Sequence, residues 1–260
     1  MKSLTERRDQ GQSWLEAGKG APLVLVHGIG GSAATWLPVM DALARHHHVY
    51  AWNFPGYGGA APLPGDAPPA TDYARALLAF LDQRGISAAH VVGHSLGAVV
   101  VAALAQAAAA RVSRLSLICP VIGAGHLPAD AREQMRLARR DEILAGGMGA
   151  FAQARTASII GPQASQEDVA GIIETMAGIA QPAYLQAWEM LCAAQIVPLL
   201  DPALAPALVV GGDVDPVAPP QAVTQVAQAL SVTPHILPSV GHFPTHEATE
   251  ELVALICQHD

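Results

Sequence analysis

The chain has 260 residues, of which 51% are hydrophobic, so it is long enough for one large domain or for a core domain with an insertion. It carries 22 Asp and Glu against 14 Lys and Arg, and this acidic balance argues against nucleic acid or an anionic membrane as a partner. No apolar run is long enough to span a bilayer, and Met1–Asp9 lacks the apolar core of a signal peptide. Three widely spaced cysteines are typical of buried, reduced thiols, and we expect a cytoplasmic protein.

The first half of the chain alternates between predicted strands and predicted helices. Apolar runs bounded by turn residues predict strands at Leu4–Arg8, Ser13–Glu16, Leu23–Val26, Val49–Trp52, Ala88–Val92 and Leu115–Cys119. Helices are predicted near Thr35–Arg45, Thr71–Arg84 and Ala98–Ala105, and the Pro-rich segment from Ala60 to Pro69 predicts a loop. This alternation favours a parallel sheet with helices on both faces.

The segment Gly93-His94-Ser95-Leu96-Gly97 follows one predicted strand and opens a helix of small residues. A G-x-S-x-G pattern between a strand and a helix is typical of a nucleophile elbow. The turn is so tight that a side chain on Gly93 or Gly97 would collide with neighbouring chain. Ser95 Oγ is then exposed to a substrate, and the N–H of Leu96 points to where an oxyanion would form. The alternative is a glycine-rich turn with a buried serine.

Strand patterns disappear between Pro120 and about Leu200. The residues there are mostly Ala, Gln, Met and Arg, and Gly and Pro breaks divide the segment into about four short helices. We therefore predict a core domain of residues 1–120 and 198–260, with residues 121–197 inserted as a helical cap over the carboxyl ends of the strands.

Strands return at Ala207–Val210 and His235–Leu237, and candidate acid and base residues follow them. A neutral serine needs a base, and His242 comes in the loop after the last strand, with His246 as the close rival. Asp213 and Asp215 both follow the preceding strand and could orient that histidine. The other histidines are interpreted as structural. His46–His48 is predicted to be a solvated turn, and no metal site is predicted.

Five motifs, HGIGGS, NFPGYGG, VVGHSLGA, GGDVDPVAPP and VGHFP, occur in this order along the chain. Together they resemble the α/β-hydrolase superfamily over essentially the whole length, and within it the capped serine esterases and lactonases, such as 3-oxoadipate enol-lactonases and carboxylesterases. The resemblance implies a mostly parallel eight-stranded sheet with helices on both faces and a helical cap insertion.

The resemblance also implies roles for individual residues. Ser95 would be the nucleophile of an acyl-enzyme mechanism, His242 the general base and acid, and Asp215, rather than Asp213, the orienting carboxylate. The backbone of Ile29 would join that of Leu96 in the oxyanion hole. No cofactor and no metal are implied.

The substrate class is predicted only broadly, as a small carboxylic ester, lactone or thioester. Candidate residues of the substrate pocket are Trp36, Arg155, Met176, Trp188 and Phe243. Arginines of the cap could hold a carboxylate, as the resemblance to enol-lactonases suggests. Four of them, at positions 132, 136, 139 and 140, recur at helical spacing and are expected to lie mostly on a solvated face.

Other functions are compatible with the same motifs. The chain could be a carbon–carbon bond hydrolase of a ring-cleavage product, although such enzymes often have Trp where Phe243 follows the histidine. It could also be a nonhydrolytic relative, such as a hydroxynitrile lyase or a cofactor-free dioxygenase, or a small-molecule receptor. The sequence leaves the oligomeric state open.

Overall fold

A computed structural model describes residues 4–259. Residues 1–3 of the segment Met1–Asp9, which is predicted to lack the apolar core of a signal peptide, lie outside this range. The described residues form one sheet of eight strands, as predicted. The strands are β1 Thr5–Asp9, β2 Gln12–Gly18, β3 Ala21–Val26, β4 His47–Trp52, β5 Ala89–His94, β6 Val112–Ile118, β7 Ala207–Gly212 and β8 His235–Leu237. Their order is β1-β2-β4-β3-β5-β6-β7-β8, with β2 antiparallel to both of its neighbours and every other pair parallel.

The α-helices of the described part are α1 Leu37–Leu43, α2 Ala70–Gln83, α3 Leu96–Ala107, α4 Ala129–Ile159, α5 Gln166–Ala177, α6 Gln181–Ala193, α7 Pro220–Ala229, α8 Pro244–Glu247 and α9 Thr249–Gln258. Short 3-10 helices cover Ala33–Trp36, Ala109–Arg111 and Val197–Leu199. Among these helices, none combines the length and the apolar character needed to cross a membrane.

The sheet has helices on both faces because its connections run in two directions. From β3 the chain passes through α1 to β4 on one side, whereas α3 connects β5 to β6 on the other side. Right-handed crossovers in opposite directions place their helices on opposite faces. Accordingly α1 packs with α9, and α2 packs with α3. The carboxyl ends of β3 and β5 meet where the direction changes, which is where open α/β sheets bind ligands.

The segment between β6 and β7 contains α4, α5 and α6 and no strand, and all of its residues are described. The predicted break at Gly146-Gly147 is confirmed, because Gly147 has non-helical angles (φ 70°, ψ 171°) and divides α4 into two parts. The chain therefore has four helical stretches here, as the Gly and Pro spacing predicts.

Two local predictions were right only in part. The helix expected from Thr35 begins as a 3-10 turn, capped by the Ser32 side chain, and becomes α-helical only at Leu37. Of the turn expected at His46–His48, only His46 lies in an exposed turn, whereas His47 and His48 start β4, where His48 Nε2 lies 2.8 Å from Glu16 Oε1 on the adjacent strand. A local pattern of three histidines cannot reveal a partner that arrives from another strand.

Candidate active site

Ser95 lies at a sharp turn between β5 and α3. Its backbone angles are φ 54° and ψ −117°, a conformation that L-residues rarely adopt. A Cβ atom on Gly93 would lie 2.5 Å from Gly97 O, and one on Gly97 would lie 2.4 Å from Val26 O. The prediction that both flanking positions exclude side chains is confirmed. The turn puts Ser95 directly before the first free N–H groups of α3.

Three buried side chains form a chain of hydrogen bonds at this turn. His242, in the loop after β8, has its Nε2 2.9 Å from Ser95 Oγ and its Nδ1 2.7 Å from Asp215 Oδ2. A carboxylate accepts only, so Nδ1 donates to Asp215 and the neutral ring accepts the Ser95 proton at Nε2. The arrangement can therefore remove a proton from the serine.

The structure brings Asp215, and not Asp213, to the histidine. Asp215 is 2% exposed, and its Oδ1 accepts the N–H groups of Val217 at 2.8 Å and Ala218 at 3.1 Å. Burial alone would raise the pKa of Asp215, but the His242 charge and these hydrogen bonds lower it to about 2. Asp213 is exposed at the surface. The rival base His246 instead has its Nδ1 2.9 Å from Thr245 Oγ1.

The loop after β3, which contains the predicted second backbone donor Ile29, approaches Ser95 closely. A Cβ atom on Gly28 would lie 2.9 Å from Ser95 Cβ, so this loop passes as close as its glycine allows. Ile29 and Leu96 both line the cavity in front of Ser95. Within residues 4–259 neither N–H donates a hydrogen bond to protein. Two donors thus remain available for an oxyanion.

Neutral histidines hold these loops, as the sequence predicts. His27 donates from Nδ1 to Gly28 O and accepts the Phe54 N–H at Nε2, while burial lowers its pKa to about 4. His94 donates from Nε2 to His242 O at 2.7 Å. Burial first, and the nearby His242 second, lower the pKa of His94 to about 3. Both rings remain uncharged near neutral pH, so they hold the loops without adding positive charge.

A cavity in front of Ser95 is lined by the core on one side and by the α4–α6 segment on the other. Four predicted pocket residues line it: Arg155, Met176, Trp188 and Phe243. Trp36 does not line it. Its side chain is fully buried, and its ring centroid lies 6.4 Å from that of His94. The structure therefore brings together every predicted site residue except Trp36.

Arg139 also lines the cavity, contrary to the solvated face expected from its helical spacing. Its side chain is only 18% exposed, and its guanidinium lies 4.9 Å from the Phe151 ring and 5.0 Å from the Trp188 ring. It also donates to Tyr184 Oη at 3.2 Å. Spacing along α4 could not identify this residue, because the apolar partners come from the second half of α4 and from α6.

Arg155 lies in the same cavity, and within the described residues its guanidinium forms no ion pair or hydrogen bond. Burial, followed by the charge of Arg139, lowers the pKa of Arg155. Arg139 and Arg155 thus both face a mostly apolar space. The carboxylate that pairs with Arg139 belongs to the half-exposed Glu142.

The described residues contain one group of side chains close enough together to hold a metal ion. His94, Cys119 and His242 have potential ligand atoms within 4.8 Å of one another. Both ring nitrogens of His242 already have partners in Ser95 and Asp215. A metal ion here would have to break those hydrogen bonds.

Comparison with protein families matches residues 23–255 to the alpha/beta hydrolase family. The chain belongs to this family and has the α/β-hydrolase fold. The family and the fold expected from the motifs are thereby confirmed.

Curated relatives match parts of the chain. It is 43% identical over 106 residues to the dihydrolipoyllysine-residue acetyltransferase component of the acetoin cleaving system of Cupriavidus necator, covering 40% of this chain and 28% of that protein. It is 26% identical over 130 residues to the (E)-2-((N-methylformamido)methylene)succinate hydrolase of Acinetobacter baylyi, covering 50% of this chain and 49% of the relative. The chain thus spans less than two thirds of the length of these relatives.

Among solved structures, the enol-lactonase from Burkholderia xenovorans LB400 superposes with a TM-score of 0.83. The match covers 98% of this chain and 99% of the enol-lactonase at 21% sequence identity. At this identity the likeness establishes the fold alone.

Proposed function

We propose that the protein is a serine hydrolase that cleaves a small carboxylic ester, lactone or thioester through an acyl-enzyme on Ser95. The observation that carries this proposal is the buried hydrogen-bond chain from Ser95 Oγ through His242 to Asp215. It activates a serine that the elbow presents beside two free backbone donors.

In the proposed reaction, His242 Nε2 takes the Ser95 proton while Oγ attacks the substrate carbonyl carbon. The N–H groups of Ile29 and Leu96 stabilise the resulting oxyanion, and Asp215 stabilises the imidazolium. His242 then returns its proton to the departing alcohol, thiol or ring oxygen, leaving an ester on Ser95. A water molecule that gives a proton to His242 hydrolyses this ester and restores the serine.

We also propose that residues 121–197 act as a cap, which shapes the substrate space while the core, residues 1–120 and 198–260, supplies the chemistry. The contact between Met176 and the loop after β3 supports this division. A Cβ atom on Gly30 would lie 2.6 Å from Met176 Cε, so α5 packs directly against the oxyanion loop.

The arginines of the cavity support a substrate that carries a carboxylate group. Arg155 forms no ion pair within residues 4–259 and Arg139 stands near it, so an anion would offset the cost of holding two desolvated cations together. The name of the Acinetobacter relative describes a substituted succinate as its substrate, which is consistent with this class. Apolar neighbours such as Met176 and Phe243 would contact the carbon chain.

The proposal is tested by activity-based labelling and turnover. We expect wild-type protein to be modified at Ser95 by a fluorophosphonate and to hydrolyse a panel of small esters and lactones. Ser95→Ala should lose both properties, with turnover falling by about 10⁴-fold or more. The control is Ser87→Ala, which changes an exposed serine. Wild-type turnover in Ser95→Ala would overturn the proposal.

The same panel separates the alternatives. A receptor would remain unlabelled, a carbon–carbon bond hydrolase would cleave only ring-cleavage diketones, and a lyase would be labelled yet hydrolyse no ester. Cytoplasmic location remains a prediction from the sequence.

A further inference from the structure

Glu247, the last residue of α8, is a buried carboxylate that the proposed chemistry does not use. It is 7% exposed, does not line the cavity in front of Ser95, and forms no ion pair within residues 4–259. Burying such a group is costly unless hydrogen bonds replace its hydration. The position of those hydrogen bonds therefore indicates what the residue is for.

Both carboxylate oxygens of Glu247 accept backbone hydrogen bonds. Oε2 accepts from Gly241 N at 2.8 Å and from Gly161 N at 2.7 Å, and Oε1 accepts from Phe243 N at 2.9 Å. Gly241 and Phe243 are the two neighbours of His242 in sequence. One carboxylate thus holds the peptide groups on both sides of that histidine.

The third donor, Gly161, comes from a different part of the chain, two residues after the end of α4. The two segments meet backbone to backbone. A Cβ atom on Gly161 would lie 2.4 Å from Glu247 Oε2, and one on Gly241 would lie 2.4 Å from Gly161 N. His242 N also donates to Ile159 O at 2.9 Å, so the histidine loop is joined directly to the end of α4.

We propose that Glu247 is a positioning residue, which fixes the His242 loop to the end of α4 so that the base is aligned only while this segment is docked. The inference rests on the proposed role of His242 as the base. The imidazole must stand between Ser95 and Asp215, and a misplacement of about 1 Å can cost about 100-fold in rate. Glu247 supplies two of the hydrogen bonds that hold the peptide frame of this ring.

The first test is Glu247→Gln, which preserves size but replaces one acceptor oxygen with an N–H donor that faces a backbone donor. We expect kcat to fall by about 10- to 100-fold and KM to change by less than about 2-fold. The rate of fluorophosphonate labelling should fall with kcat, because it also depends on the base. In NMR spectra recorded well below the Tm, where the variant is still folded, the downfield proton resonance of the His242–Asp215 hydrogen bond should be weaker than in the wild type. The matched control is Glu250→Gln, an exposed glutamate on the next helix.

The second test approaches the same carboxylate from the α4 side. Gly161→Ala places a methyl group against Glu247 Oε2, although Gly161 forms no hydrogen bond with Ser95, Asp215 or His242. We expect a loss of kcat similar to that of Glu247→Gln, and a double variant little worse than either single one, because both changes break one unit. The control is Gly171→Ala in α5, where a Cβ atom would meet nothing within 4 Å.

Two results would overturn the inference. One is a Glu247→Gln variant that has a lower Tm but keeps wild-type kcat and labelling rate per folded molecule. The other is a double variant whose loss equals the product of the single losses. Failure of the proposed function is distinguishable, because the wild-type protein would then either escape labelling at Ser95 or be labelled and hydrolyse no ester or lactone.

Discussion

The two walls of the cavity are built by different means. On the core wall, backbone geometry determines the site: Ser95 has a strained conformation, Gly93 and Gly97 admit no side chain, and the proposed oxyanion donors are main-chain groups. On the α4–α6 wall, the lining consists of long side chains such as Arg155 and Met176. Under the proposed function, the core wall sets the rate and the α4–α6 wall sets the selectivity, so substitutions in the two walls should have separable effects.

The largest effect should come from the carboxylate on the core wall. We expect Asp215→Asn to lower kcat by about 10⁴-fold, because an amide can leave the histidine in the wrong tautomer. Asp213→Asn is the control, since this exposed residue lies two positions away on the same loop. Steady-state kinetics on the best ester measures both. A comparable loss of kcat in Asp213→Asn would contradict the assignment of Asp215 as the orienting acid.

A smaller and more selective effect is expected from Arg155→Gln. A hydrogen bond to a charged group contributes about 1.5–3 kcal/mol, so kcat/KM for a dicarboxylic acid monoester should fall by about 10- to 150-fold. Turnover of the neutral diester should change little. Arg140→Gln, at an exposed arginine of α4, provides the control. Equal losses on charged and neutral esters would show that Arg155 does not recognise a carboxylate.

The smallest effect should come from the apolar part of the α4–α6 wall. Met176→Ala enlarges the cavity beside Gly30, and a contact of one methylene contributes only about 1–3 kcal/mol to discrimination. We expect the preferred acyl length in a series of p-nitrophenyl esters to increase, with ratios of kcat/KM changing by about 10-fold. Leu144→Ala, at a side chain 55% exposed on α4, is the control. An unchanged preference for acyl length would show that Met176 on this wall does not select the substrate.

The sequence by itself predicted the core wall well, because its determinants are local. The glycines around Ser95, the strand before it and the helix after it are contiguous, and each tight turn has its own residue requirements. The positions of the strands along the chain and the break at Gly147 also follow from short-range patterns.

Only the tertiary structure decided which side chains meet across distant segments. It put Arg139 in the cavity, withdrew Trp36 from it, and joined Glu247 to Gly161. Each of these contacts depends on the docking of elements far apart in the chain. The free energy of such packing arises from burial and hydrogen bonds between segments, which no spacing within a single segment encodes.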